Sequence, residues 1–214
     1  MTKVMGSPVR ADSPRIKLYR ALCISFLLLF IGGALSIPFV YESQTLWYKV
    51  GIDKTMLRGG QMAGLLTAVL LFVQILLATR GTILKKLFGE TVLIRWHRVN
   101  GIIIFFTAFS HVILVLAPEG LMNLPIGIKF WPEMVGSLLL WIIFSMVISS
   151  QFREKMGLDY RRWKVIHQFL GYLVIMLLSV HVFFVTDSFR YAVPGAALAT
   201  TLFVVVVSVV LSKK

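Results

Sequence analysis

Four histidines, His97, His111, His167 and His181, carry the most specific chemistry in this 214-residue chain. They fall in two segments, and in each the two histidines are 14 residues apart. On a helix rising ~1.5 Å per residue, that spacing is about 21 Å. Fourteen steps of roughly 100° come within about 40° of whole turns, so both histidines of a segment share one helix face. The segments WHRVNGIIIFFTAFSHV and IHQFLGYLVIMLLSVHV share the pattern H-x3-G-x9-H, with Gly101 and Gly171 one turn after the first histidine. A glycine on that face leaves room for a flat macrocycle to approach the backbone. Ile104 and Ala108 continue the face in one segment, Val174 and Leu178 in the other, as apolar filling between two levels.

Such pairs restrict what can be bound. A protein zinc site usually takes four Cys, His or carboxylate ligands, and each level here offers two histidines. The single cysteine, Cys23, rules out a disulfide framework, a Cys-based zinc site and an iron–sulfur cluster. A proton or cation transporter would carry Asp or Glu along its path, and the apolar runs have none in their middles. Iron in a porphyrin needs only two axial ligands, because the ring supplies the rest. The spacing therefore implies two stacked b-type haems, one on His97 and His167, the other on His111 and His181. Two alternatives stay open on the residues alone. One is a haem-free transport or binding module whose histidines make interhelical hydrogen bonds. The other is a different di-haem cytochrome, such as a quinone-linked cytochrome b subunit of another respiratory complex.

The elements that must position these histidines are membrane helices. Apolar residues are 58% of the chain, charged residues 14%, and mean hydropathy is +0.86. A soluble domain averages about 45–50% apolar and about 25% charged residues. Six continuous apolar runs, 18–40, 61–79, 96–117, 134–151, 164–186 and 191–211, are each about the ~20 residues that span a bilayer. Their continuity excludes the alternation of a β-barrel. Gly59-Gly60, Pro118-Glu119-Gly120 and the stretch 187–190 mark connections, and Pro194 sits in the first turn of the last run. Residues 81–94 are expected to form a short helix along the membrane interface. Ala34-Leu35-Ser36 loosely resembles a signal cleavage site, but the first run is longer than an h-region and is expected to be retained.

Lys and Arg fix the orientation. The N-terminal tail, the second and fourth connections and the C-terminus together hold 17, and the opposite side has five: Lys49, Lys54, Arg58, Lys129 and Arg190. This asymmetry places both termini in the cytoplasm. The net charge of +13 then sits wholly on the cytoplasmic side, where it reads as a topology signal beside anionic lipid rather than a nucleic-acid site. The expected organisation is a cytoplasmic tail, 1–17, and one six-helix transmembrane domain, 18–212. His97 then lies level with His167 near the cytoplasm, and His111 level with His181 near the outside. Haem propionates seek cations. Arg95, Arg98, Arg162 and Lys164 stand near the inner level, and Arg58, a lone cation where the second run opens, stands with Gln61 near the outer one. Each basic residue serves equally well as a headgroup charge.

The chain resembles the ferric reductase transmembrane-domain superfamily, which includes NADPH oxidases, metalloreductases and the haem subunit of a bacterial methionine sulfoxide reductase system. The resemblance runs from about residue 58 to 186. It is carried by R-G-G-x-x-A-G-L-L opening the second run, W-H-R-V-N-G opening the third, R-R-W-K-V-I-H-Q opening the fifth, and the outer histidines. It implies a membrane oxidoreductase, or its haem-binding electron-transfer subunit, passing electrons across the bilayer, with no catalytic side chain beyond the haem ligands. Many relatives continue into a cytoplasmic flavin and NADPH domain, whereas no GxGxxG or flavin motif precedes Lys214. The resemblance therefore implies a flavin or quinol supplied by a partner, a cytoplasmic flavoprotein reductase or the quinol pool, or else a longer reductase of which this is a piece. The implied acceptor is a ferric chelate, oxygen or a periplasmic protein. The expected location is a bacterial cytoplasmic membrane.

Overall fold

The computed structural model describes residues 13–120 and 124–212. Every regular element among the described residues is helical. The helices are α1 (Pro14–Val40), α2 (Gln44–Trp47), α3 (Gly51–Thr79), α4 (Thr82–Phe88), α5 (Glu90–Leu116), α6 (Trp131–Gln151), α7 (Tyr160–Val185) and α8 (Ala192–Ser212). Six of them, α1, α3, α5, α6, α7 and α8, are long and apolar enough to cross a bilayer. Lys3 and Arg10 of the expected tail, and Lys213 and Lys214, lie outside the described residues.

The helices extend past the apolar runs that announced them. α3 begins at Gly51 rather than 61, α5 at Glu90 rather than 96, and α1 at Pro14 rather than 18. Hydrophobicity marks the stretch that suits lipid, while backbone hydrogen bonding continues into charged sequence. Asp53 and Glu90 in first turns favour those N-termini. Asp159 caps α7, its side chain accepting from the Arg162 N–H at 2.9 Å. Two expectations need correction. Gly59-Gly60 does not interrupt the chain; both glycines lie inside α3. The short helix over 81–94 is only α4, because Gly89 turns the chain at φ +82° and residues 90–94 already belong to α5.

α3 is the most buried of the spanning helices and touches α1, α5, α7 and α8. Its small residues explain the position. Gly60, Gly64 and Ala68 recur every four residues and make a seam on which another backbone can lie closely. A Cβ on Gly60 would meet Val115 Cγ2 at 2.8 Å and the Val115 backbone nitrogen at 3.1 Å. Backbone cannot swing aside as a side chain can. Gly60→Ala should therefore destabilise the α3–α5 contact by about 1–3 kcal/mol, seen as a lower Tm in detergent. An unchanged Tm would mean that the seam relaxes freely.

Four helices close a ring, α3 on α5, α5 on α6, α6 on α7 and α7 on α3. Across its diagonal, α5 and α7 approach each other far less closely than neighbouring helices of the ring do. One apolar cluster fills the middle, with Leu71 and Phe72 of α3, Ile104 of α5, Leu139 and Ile143 of α6, and Val174 and Leu178 of α7. Ala108 is buried nearby. Phe26, Leu29 and Phe203 point outward, 69–75% exposed. In water that surface would aggregate; in a bilayer it is the lipid contact.

Candidate functional site

The diagonal of the ring is where the histidines meet. α5 presents His97 and His111, and α7 presents His167 and His181. The rings of His97 and His167 have centroids 6.3 Å apart and planes inclined at 66°. Those of His111 and His181 are 6.4 Å apart and inclined at 77°. The four side chains thus form two pairs at two depths, with the apolar cluster between them.

The His111–His181 level is held by backbone. His111 Nδ1 lies 2.7 Å from the carbonyl oxygen of Gly60 on α3, and His181 Nδ1 lies 2.7 Å from that of Pro132 on α6. A carbonyl oxygen only accepts, so each Nδ1 carries the proton and donates it, leaving Nε2 with a free lone pair. A glycine accompanies each contact. A Cβ on Gly64 would come within 2.8 Å of His111 Nδ1, and one on Gly136 within 2.5 Å of His181 Cε1. The spacing has a geometric reason. In a helix the carbonyl of residue i lies beside residue i+4, so a ring that reaches the carbonyl of 60 or 132 occupies the side-chain space of 64 or 136.

The His97–His167 level is held differently. Gln74 Nε2 donates to the His97 carbonyl at 3.0 Å and lies 3.4 Å from His97 Nε2. Asn100 Nδ2 in turn donates to Gln74 Oε1 at 2.8 Å and to the Leu70 carbonyl at 3.0 Å. Trp163, one turn before His167, lies against its ring with centroids 4.9 Å apart. Three buried nitrogens here, His97 Nδ1, His167 Nδ1 and Trp163 Nε1, have no hydrogen-bond partner among the described residues. A Cβ on Gly101 would sit 3.3 Å from Gln74 Nε2; one on Gly171 would meet Ile75 Cδ1 at an ordinary 3.8 Å. Both glycines thus face α3.

The expected cations divide between the two levels. Arg95 and Arg98 on α5, and Arg162 and Lys164 on α7, are exposed near the His97–His167 end. Arg58 is not the lone cation expected. It donates to Glu42 Oε1 at 2.5 Å, and its guanidinium lies 4.9 Å from the Phe39 ring centre. Glu42 also takes Lys54 at 2.9 Å. The hydrogen bond from Lys54, with the charges of Lys54 and Arg58, holds the Glu42 carboxyl below its ordinary value against a smaller opposing effect of burial. These contacts therefore persist as pH falls through the usual carboxylate range. Arg58 is still two residues from the carbonyl that holds His111. Gln61 donates to Ser43 Oγ at 2.9 Å.

Sequence reasoning missed Gly64, Gly136, Pro132 and the Gln74–Asn100 amide pair. The G-x3-G spacing at 60 and 64 was legible; the match with Pro132 and Gly136 needed the ring contacts. Among the described residues no three His, Cys, Asp or Glu side chains converge, so neither imidazole pair has a third such ligand beside it. The model of the family described as ferric reductase like transmembrane component matches residues 63–180. No curated protein and no solved structure matches the chain.

Proposed function

The chain belongs to the ferric reductase like transmembrane component family, and from that premise we propose that it is a di-haem b-type electron conduit across the membrane. The observation that carries this reading is the ring separation within each pair, 6.3 and 6.4 Å. A metal–imidazole bond of about 2.0–2.1 Å plus about 1.1 Å from nitrogen to ring centre, taken on both sides of one atom, spans about 6.2–6.4 Å. Two imidazoles alone would under-ligate a bare metal ion. They suit a macrocycle that supplies the other four donors. The sparse backbone approach of α5 to α7, and the buried, unpartnered Trp163 N–H beside His167, fit the same group.

Haem contributes a one-electron iron couple at each level. The chain does the rest. His97 and His167 would hold the inner group, and His111 and His181 the outer, and two imidazoles at each level would keep acceptors off the metal. Ile104, Val174 and Leu178 exclude water between the levels. Gly101 and Gly171, expected to leave flat space beside the inner ligands, instead let α3 pack closely there through Gln74 and Ile75. Arg95, Arg98, Arg162 and Lys164, with the Trp163 N–H, are the cations and donor for inner propionates; Arg58 and Gln61 serve the outer ones.

In this reading residues 1–17 are a cytoplasmic tail and 18–212 the conduit, oriented by the excess of Lys and Arg on one side. A cytoplasmic flavoprotein or quinol is the donor, and an outer ferric chelate, oxygen or periplasmic protein the acceptor, in a bacterial cytoplasmic membrane.

The test is the dithionite-reduced spectrum of the purified chain, which should show low-spin b-type bands titrating at two midpoints. No haem bands would refute the proposal. Charge near the outer level gives a second check. Removing a cation disfavours the added electron, so Arg58→Ala should lower the outer midpoint and Glu42→Gln should raise it. No shift in either variant would return the pair to fastening the loop onto α3.

A further inference from the structure

The two outer histidines are held by the same device on two different helices, and the inner two are not. We propose that Gly60 with Gly64, and Pro132 with Gly136, are matched positioning residues that make His111 and His181 strong electron donors. The level they serve is thereby the lower-potential one. The proposal rests on the di-haem reading above and adds to it an asymmetry between the levels.

The geometry is specific. Both contacts are 2.7 Å, at the short end for an N–H···O bond. Each carbonyl has a second lone pair, so it can accept from imidazole as well as from its own helix. Each ring rests where the residue four positions on has no Cβ, and any Cβ there would fall within 2.5–2.8 Å of it. The contact and the vacancy therefore depend on each other: filling the vacancy must push the ring from the carbonyl.

The consequence is electronic. Donating the Nδ1 proton toward a carbonyl shifts charge onto Nε2 and raises its basicity as a ligand. A more basic ligand favours the oxidised metal, which lowers the potential. At the His97–His167 level the two Nδ1 atoms have no acceptor among the described residues, and Gln74 donates to the His97 carbonyl instead. The outer level then becomes the stronger reductant, on the side where the acceptor is met.

The experiment is a potentiometric titration, followed by absorbance and EPR, of the wild-type chain and of Gly64→Ala and Gly136→Ala. His111→Leu identifies which midpoint belongs to the outer level. In the wild type the outer midpoint should be the lower. Loss of one such partner is worth about tenfold in the ligand's preference, which is about 59 mV upward for a one-electron couple. Each alanine variant should move the outer midpoint up by that order and leave the inner one in place. Full occupancy with an unmoved outer midpoint would overturn the proposal.

Should alanine expel the outer group, His111→Gly supplies the answer through added ligands. Imidazole can donate to the Gly60 carbonyl and 1-methylimidazole cannot. At least tenfold tighter restoration by imidazole supports the assignment, and equal affinities overturn it. Fewer than two midpoints in the wild type would be a failure of the di-haem reading. Two midpoints insensitive to both alanines would be a failure of this inference alone.

Discussion

His111→Leu or His181→Leu should reduce the haem content from two per chain to one and leave the His97–His167 level filled. Each level has two imidazoles, and no further His, Cys, Asp or Glu converges on either among the described residues. Leucine would remove an imidazole nitrogen for which no other His, Cys, Asp or Glu stands ready among the described residues. Altering only an outer-shell partner typically costs 10–100-fold in metal affinity, and losing a ligand costs more. The effect should stay local. The levels are about 21 Å apart along the helices, and the core between them, Ile104, Val174 and Leu178 included, is packed by apolar contacts that need no cofactor. Pyridine haemochrome assay counts the haem, and the reduced spectrum shows whether the remaining one is low-spin. His97→Leu and His167→Leu should give the mirror result. Two haems retained in every variant would show that these histidines are not ligands. Loss of both in each would show that the levels assemble together rather than independently.

Oriented proteoliposomes should reduce an impermeant ferric chelate outside when a reductant is trapped inside, and His97→Leu or His167→Leu should bring the rate down to that of protein-free vesicles. In the proposed orientation the donor side is the end rich in Lys and Arg, where His97 and His167 lie. Without the inner level an electron faces the apolar core between the levels in one step. An interior-negative potential should speed the intact protein. A full crossing is worth about 2.3 kcal/mol per 100 mV. The level-to-level step covers about 21 of roughly 30 Å, so about 1.6 kcal/mol per 100 mV acts on it. A valinomycin-set potential checks this. Equal chelate reduction by wild type and an inner-ligand variant would exclude the conduit. NADPH alone should not drive the reaction, since no nicotinamide motif lies in the sequence.

Much of this protein is legible in its sequence alone. Membrane helices follow from composition, because a chain with 14% charged residues cannot cover a water-facing surface. The histidine pairing was legible for a related reason. Equal 14-residue spacing on two helices running the same way leaves little freedom in which ring meets which. The resemblance to ferric reductase-like membrane domains was likewise readable from the motifs that open the second, third and fifth runs, and the family match over 63–180 bears it out.

Tertiary structure decided the rest. Gly59-Gly60 reads as a breaker in one dimension, yet Gly60 lies inside α3 because a closely packed partner, Val115, fills the space that a side chain would take. Arg58 reads as a lone cation until the loop after α1 folds back and brings Glu42 to it. Gln74 and Asn100 are unremarkable polar residues until α3 and α5 bring them together. Pro132 and Gly136 carry no signal of their own, since what they offer is a carbonyl and an absence of side chain. Periodicity records which face a residue occupies, so it located the histidines. It is blind to backbone groups on another helix, and those orient His111 and His181.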